Sequence, residues 1–142
     1  MDVNRIGVAV VGCGMIGQFH LKAMKSVAEF EVVGVWDANA SLSADVAEEW
    51  NTKSFGSFEE ILGDPKVNLV DICLPSGLHA KYGVRAADAG KHVIVEKPID
   101  VTVEAARRLV DACRDSQVSL AVILQNRFSP SVAKVKKALD KN

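Results

Sequence analysis

The chain has 142 residues, 49% hydrophobic and 25% charged, which is the size and balance of one globular domain with a real core. Its formal net charge is −1, and its only basic cluster is the short Lys134–Lys137 stretch, which excludes a nucleic-acid surface built on bulk positive charge. No apolar run is long enough to span a bilayer, no basic leader with a cleavage site follows Met1-Asp2, and Cys13, Cys73 and Cys113 are odd in number without a CxxC pair, so the expectation is buried free thiols in a reducing cytoplasm, with no membrane partner and no metal centre.

Strand and helix patterns alternate along the chain. Ile6–Val11 is a β-branched run that suits a strand buried on both faces. Ile16, His20, Ala23, Met24 and Val27 then recur at helical spacing, and Glu31–Trp36 is a second buried strand. Asn39 to Ser41 opens a helix whose inner stripe is Leu42, Val46, Ala47 and Trp50. Lys53–Phe55 is a short strand, and Ser57 with Glu60 reads as a capping box.

Asp64-Pro65 marks a turn before the strand Leu69–Leu74, which Pro75-Ser76-Gly77 ends. Leu78–Ala89 is a helix closed by Gly90. His92–Val95 is a strand, and Thr102 caps a helix with Ala105, Ala106, Leu109, Val110 and Cys113 on one stripe. Leu120–Leu124 is the last strand, and Pro130 opens a helix with Val132, Val135 and Leu139 on one face. Repeated strand–helix units imply an α/β fold: a doubly wound, Rossmann-type parallel sheet in three αβα layers. Residues 1–125 form that domain. Residues 126–142 read as a connecting segment and helix leading toward a second domain.

The stretch GVAVVGCGMIGQFH holds Gly12, Gly14 and Gly17 in the spacing G-x-G-x-x-G, directly after a strand and at the start of a helix. That context makes the motif a dinucleotide fingerprint. Gly12 lets the chain turn, Gly14 lets a diphosphate approach the backbone, and Gly17 lets the helix pack on the strand. The helix end at Met15, Ile16 and Gly17 then offers amide N–H groups to the anion. About twenty residues on, the next strand ends at Asp37, placed to accept a hydrogen bond from the adenosine ribose. Its charge opposes a 2′-phosphate, and no Arg or Lys follows it closely, so NAD is expected over NADP.

Two further stretches fall at carboxyl ends of strands, where open α/β sheets bind ligands: Leu74-Pro75-Ser76-Gly77-Leu78-His79 and Val95-Glu96-Lys97-Pro98. With GCGMIGQFH, the Asp37 strand end and Gln125-Asn126-Arg127-Phe128-Ser129-Pro130, they match in order and spacing. The chain resembles the N-terminal half of the Gfo/Idh/MocA oxidoreductases, the glucose-fructose oxidoreductase and inositol dehydrogenase family. The resemblance implies hydride transfer between a nicotinamide and a sugar, polyol or nucleotide-sugar hydroxyl. It makes Lys97 the residue that assists proton transfer at the reacting oxygen, places Glu96 beside it, and implies a cis peptide before Pro98. Leu74, Pro75, Ser76, His79, Glu96, Lys97 and Arg127 become cofactor contacts, and Arg127 has the alternative of pinning two domains together.

His79 has two readings, a wall of the nicotinamide pocket or a first-turn histidine bonded to backbone. His20 reads as a packing histidine on the inner stripe of its helix. The family's second domain, which carries most of the substrate contacts and often the homo-oligomer interface, is expected beyond this chain. The rival reading is a non-catalytic NAD(P)-binding regulatory module acting through a protein partner.

Overall fold

The computed structural model describes residues 5–141; the residues around Met1-Asp2, on which the N-terminal reading rests, and Asn142 lie outside them. The β-branched runs form six strands: β1 (Ile6–Val11), β2 (Phe30–Trp36), β3 (Lys53–Ser54), β4 (Leu69–Ile72), β5 (His92–Glu96) and β6 (Leu120–Ile123). Between and after them lie α1 (Met15–Lys25), α2 (Ala40–Glu49), α3 (Phe58–Gly63), α4 (His79–Asp88), α5 (Val103–Asp115) and α6 (Pro130–Leu139). Every strand pair is parallel, in the order β3-β2-β1-β4-β5-β6. This is the Rossmann-type doubly wound sheet, whose strand order reverses between β1 and β4.

Side chains alternate across a strand, so a strand buried on both faces feeds two cores. Val8 and Val10 of β1 join Leu21 and Met24 of α1 and Val46 and Ala47 of α2. Ala9 and Val11 join Phe58 and Ile61 of α3, Ala80 and Ala86 of α4 and Leu109 of α5. The Val8/Ala9 step carries a register shift opposite Val33, which sits between residues paired to β1.

The helix ends follow their capping chemistry. Asn39 Oδ1 accepts the N–H groups of Ser41 and Leu42 at 3.2 and 3.3 Å. Ser57 Oγ accepts the Glu60 N–H at 3.2 Å, while Glu60 reaches back to the Gly56 N–H at 3.1 Å. Thr102 Oγ1 accepts the Ala105 N–H at 3.1 Å. Gly90 has φ +73, the left-handed position that ends α4.

Several expected boundaries move, with β3, β4 and β6 each ending before their apolar runs do. α1 ends at Lys25 with Ser26 as its cap, so Val27 lies past the helix and is 38% exposed. β4 ends at Ile72, and residues Ser76–Leu78 form a 3-10 turn ahead of α4. The turn forms because the Leu78 N–H bonds to the Pro75 carbonyl at 2.8 Å before the α-helical ladder begins. The helix expected from Pro130 is present, but α6 buries no residue, and Val135 and Leu139 are 60% and 67% exposed.

Candidate dinucleotide and acid/base site

The glycine loop leaves β1 where the sheet order reverses. Gly12 has φ +102, and a Cβ there would lie 2.7 Å from the Cys73 carbonyl oxygen. Gly17 has no such backbone angle, yet its Cβ would lie 1.9 Å from the Gly12 oxygen. Both glycines are thus required by the close packing of the loop on itself and on the end of β4. Gly14 differs. Its φ is −67, and a Cβ there would meet nothing within 4 Å. Neither backbone nor packing calls for glycine at this position.

Gly14 caps α1 without any side-chain hydrogen bond, and the first turn of α1 holds no acidic residue. The intrahelical ladder begins with the Gln18 N–H on the Gly14 oxygen at 3.0 Å. The N–H groups of Met15, Ile16 and Gly17 are the donors that precede that ladder. With the positive end of the helix dipole they form an anion cradle. Met15 is 71% and Ile16 40% exposed beside it.

Asp37 follows β2 and turns back onto the loop: its Oδ2 accepts the Cys13 N–H at 2.9 Å and its Oδ1 the Asn39 N–H at 2.8 Å. Each oxygen keeps one lone pair for a further donor. Beyond Asp37 a hollow of about 280 Å³ runs between Trp36, Ser54, Gly56 and Phe58. The glycine cradle, Asp37 and the open ground past β2 and β3 together fit an adenine dinucleotide.

The LPSGLH stretch lies next to this cradle because β4 is the neighbour of β1. Leu74 meets Gly12 through its backbone, a Cβ on Gly12 lying 3.0 Å from the Leu74 nitrogen, and Pro75 and Ser76 follow on the 3-10 turn. His79 is only 1% exposed. Its Nδ1 faces the Pro98 carbonyl at 2.8 Å and its Nε2 the Leu74 carbonyl at 2.7 Å. The ring therefore ties the two strand-end loops together, which is the backbone-bonded reading of the two. The Lys97–Pro98 peptide bond is cis. Lys97 is exposed at the end of β5, and among the described residues its Nζ makes no hydrogen bond or ion pair.

Glu96 is buried, with both oxygens committed: Oε2 accepts the Lys97 N–H at 2.9 Å and Oε1 faces His20 Nε2 at 3.2 Å. Arg127 stands apart in the 3-10 turn after β6, exposed, its guanidinium 5.8 Å from the Phe128 ring.

His20 is a satisfied histidine on the inner face of α1, as expected, and the partners that satisfy it are polar side chains of β4 and β5. His20 Nδ1 lies 2.8 Å from Asp71 Oδ2 and 3.3 Å from Cys73 Sγ. Asp71 is fully buried, and its second oxygen has no partner among the described residues. The Asp71 hydrogen bond raises the histidine above its ordinary value, and Glu96 adds to it, against the opposing effect of burial. Burial pushes the Asp71 carboxyl up, and His20 pulls it part of the way back. The donor atoms of His20, Asp71 and Cys73 lie within 4.8 Å of one another, in contacts spaced as hydrogen-bonded partners. Burial and the nearby Asp71 carboxylate push the Cys73 thiol up strongly, and burial and Asp37 push Cys13 up to about 11, so neither is a thiolate nucleophile at neutral pH.

The pattern Leu69-Val70-Asp71-Ile72-Cys73 carried a readable signal. A lone carboxylate in a run buried on both faces requires a partner. Period-two alternation puts Asp71 and Cys73 on the face of β4 that α1 covers, and Ile94 and Glu96 of β5 share it.

Comparison with known proteins agrees with this geometry. A family model described as an oxidoreductase family with an NAD-binding Rossmann fold matches residues 6–124. The chain is 31% identical, over 97% of its length, to levoglucosan dehydrogenase of Pseudarthrobacter phenanthrenivorans, covering 38% of that protein. It is 32% identical, over 92% of its length, to inositol 2-dehydrogenase of Rhizobium meliloti, covering 39% of it. The WlbA dehydrogenase of Bordetella pertussis, solved with NADH and UDP-GlcNAcA, superposes with a TM-score of 0.93 at 31% identity, over 97% of this chain and 40% of that one. The chain thus spans about two fifths of the length of these relatives. With the model matched from β1 to the end of β6, this chain belongs to the Gfo/Idh/MocA oxidoreductase family.

Proposed function

We propose that this chain is the NAD-binding half of a dehydrogenase that moves hydride between nicotinamide and a carbon bearing a hydroxyl, on a sugar, polyol or nucleotide sugar. The observation that carries the reading is Gly14: a glycine without a backbone or packing reason, at the mouth of a helix whose first N–H groups have no side-chain cap. The N–H groups of Met15, Ile16 and Gly17 hold the diphosphate, Asp37 receives the adenosine ribose hydroxyls, and the hollow past β2 takes the adenine. NAD, when bound, supplies the hydride acceptor or donor. The named activities of the levoglucosan and inositol relatives support the substrate class.

Oxidising an alcohol removes two things, a C–H hydrogen with its electron pair and the hydroxyl proton. The second needs a base. Lys97, exposed at the carboxyl end of β5, is the base in this reading: its amine, neutral in the oxidation direction, takes the proton as the C=O bond forms, and the ammonium returns it in the reverse direction. Leu74, Pro75 and Ser76 line the same edge, and Arg127 reaches toward cofactor or across to a second domain. Residues 1–125 form the cofactor domain and residues 126–142 lead into a substrate domain supplied by the longer protein. That protein works in the cytoplasm as a homo-oligomer, without nucleic-acid or membrane partners. No helix among the described residues is long and apolar enough to cross a membrane.

Isothermal titration of the chain with NAD and with NADP tests the cofactor assignment. Binding of NAD in preference to NADP is expected. Tighter NADP binding would overturn the role of Asp37, and no binding of either would overturn the whole reading.

A further inference from the structure

His20 stands where two cofactor-independent chains of contacts meet. It lies on α1, one turn after Gly17, so the same rigid helix that carries the anion cradle also carries the imidazole. Its Nδ1 meets Asp71 of β4 at 2.8 Å and its Nε2 meets Glu96 of β5 at 3.2 Å. Where both carboxyl neighbours are ionised, both ring nitrogens donate, and the ring that satisfies them is the imidazolium. From Glu96 the chain of contacts continues to the Lys97 main-chain N–H at 2.9 Å.

Resting on the reading of Lys97 as the acid/base group, we propose that His20 is a positioning residue that holds Lys97 in register with the dinucleotide helix through the Glu96 carboxylate. Two carboxylates and an imidazole under a helix are a costly way to fill space that Leu or Met would fill well. Their layout has a direction that packing does not require: one end lies on the cradle helix and the other on the backbone of the exposed lysine. Each Glu96 oxygen is engaged within the protein, Oε1 toward His20 and Oε2 by the Lys97 N–H. Asp71 holds the other side of the ring, which fixes its tilt, and Cys73 Sγ lies against the same nitrogen at 3.3 Å. The separation between the helix that carries the diphosphate cradle and the main chain of Lys97 is then set by helix α1, one imidazole and one carboxylate, rather than by a free loop.

The test uses this chain with 13C-labelled lysines, the Lys97 Cε signal assigned by its loss in Lys97→Arg, and NAD as the probe. In the wild type, NAD shifts the Lys97 Cε signal. In His20→Gln and in Glu96→Gln, at least half of that shift is lost, while the NAD Kd by calorimetry stays within about threefold of wild type, less than 1 kcal/mol. A purely structural His20 would change the melting temperature and leave the shift intact in protein that still binds NAD. An undiminished shift in both variants therefore overturns the proposal, as does a loss of shift explained by a loss of NAD affinity. If His20→Gln fails to fold, Glu96→Gln alone decides, because its amide has one acceptor oxygen for the two donors Glu96 serves and so breaks the link at one end or the other. A wild-type Lys97 signal that ignores NAD instead overturns the acid/base reading beneath it.

Discussion

Asp37 accepts the Cys13 N–H at 2.9 Å, joining the end of β2 to the middle of the glycine loop across 24 residues of sequence. The acidic residue that the fingerprint assigns to a ribose is thus also a strut of the loop that holds the diphosphate. Asp37→Ala is therefore expected to weaken NAD by more than a ribose contact alone. A fall of tenfold or more, about 1.4 kcal/mol or above, is anticipated by titration calorimetry. NADP should lose less, because the repulsion on its 2′-phosphate goes with the same carboxylate.

Gly14 and Gly17 should separate stability from binding. A Cβ at position 17 would sit 1.9 Å from the Gly12 oxygen, and backbone cannot yield as a side-chain end does. Gly17→Ala should cost about 3 kcal/mol or more and lower the melting temperature by roughly 10 °C. Gly14→Ala adds its methyl to open space, so stability should stay within about 1 kcal/mol of wild type. NAD affinity should nonetheless fall, since the methyl stands where the diphosphate approaches. Thermal melts with and without NAD distinguish the two.

His20 carries a pH dependence with a definite sign. It titrates higher in the folded chain than its ordinary value of 6.5, principally through Asp71. Its contribution to stability is fully present below that ordinary value and is lost as pH rises through the folded one. Asp71 moves upward because of burial, so its charge opposes folding once pH exceeds its ordinary value of 3.8. Cys73 and Glu96, the other titratable groups facing the ring, complete the set. Melting temperatures of wild type and His20→Gln should be furthest apart near pH 6 and draw together toward about pH 9. A gap that widens over that range would show that the ring does not carry the charge.

Leu109 and Gly83 form a packed pair between α5 and α4. Leu109 is fully buried, and a Cβ on Gly83 would come within 2.7 Å of its Cδ1. Leu109→Ala should cost about 2–5 kcal/mol in chemical denaturation. Gly83→Ala alone should also destabilise, yet in the Leu109→Ala background it should recover part of the loss by refilling the gap. Simple additivity of the two would refute direct packing between them.

Much of this was legible along the chain because it depends on neighbours in sequence. The first β-branched run, the Asn39, Ser57 and Thr102 caps and the Gly90 terminator work through local backbone chemistry, and each stands where the pattern put it. The errors came where a residue's fate depends on a distant partner. Val27 continues the helical stripe but lies beyond the Ser26 cap, and β4 stops at Ile72, two residues short of the Leu74 that its apolar run reaches.

The residue order alone determined a parallel α/β sheet, a glycine-rich turn feeding a helix, and an acidic residue one strand later. All three follow from periodicity and spacing, which are one-dimensional properties. Tertiary structure alone decided what His20, Asp71 and Glu96 do. Fifty-one and seventy-six residues separate His20 from its two partners. Only the β4–β5 register, the alternation of side chains across those strands and the placement of α1 over them bring one ring between two carboxylates.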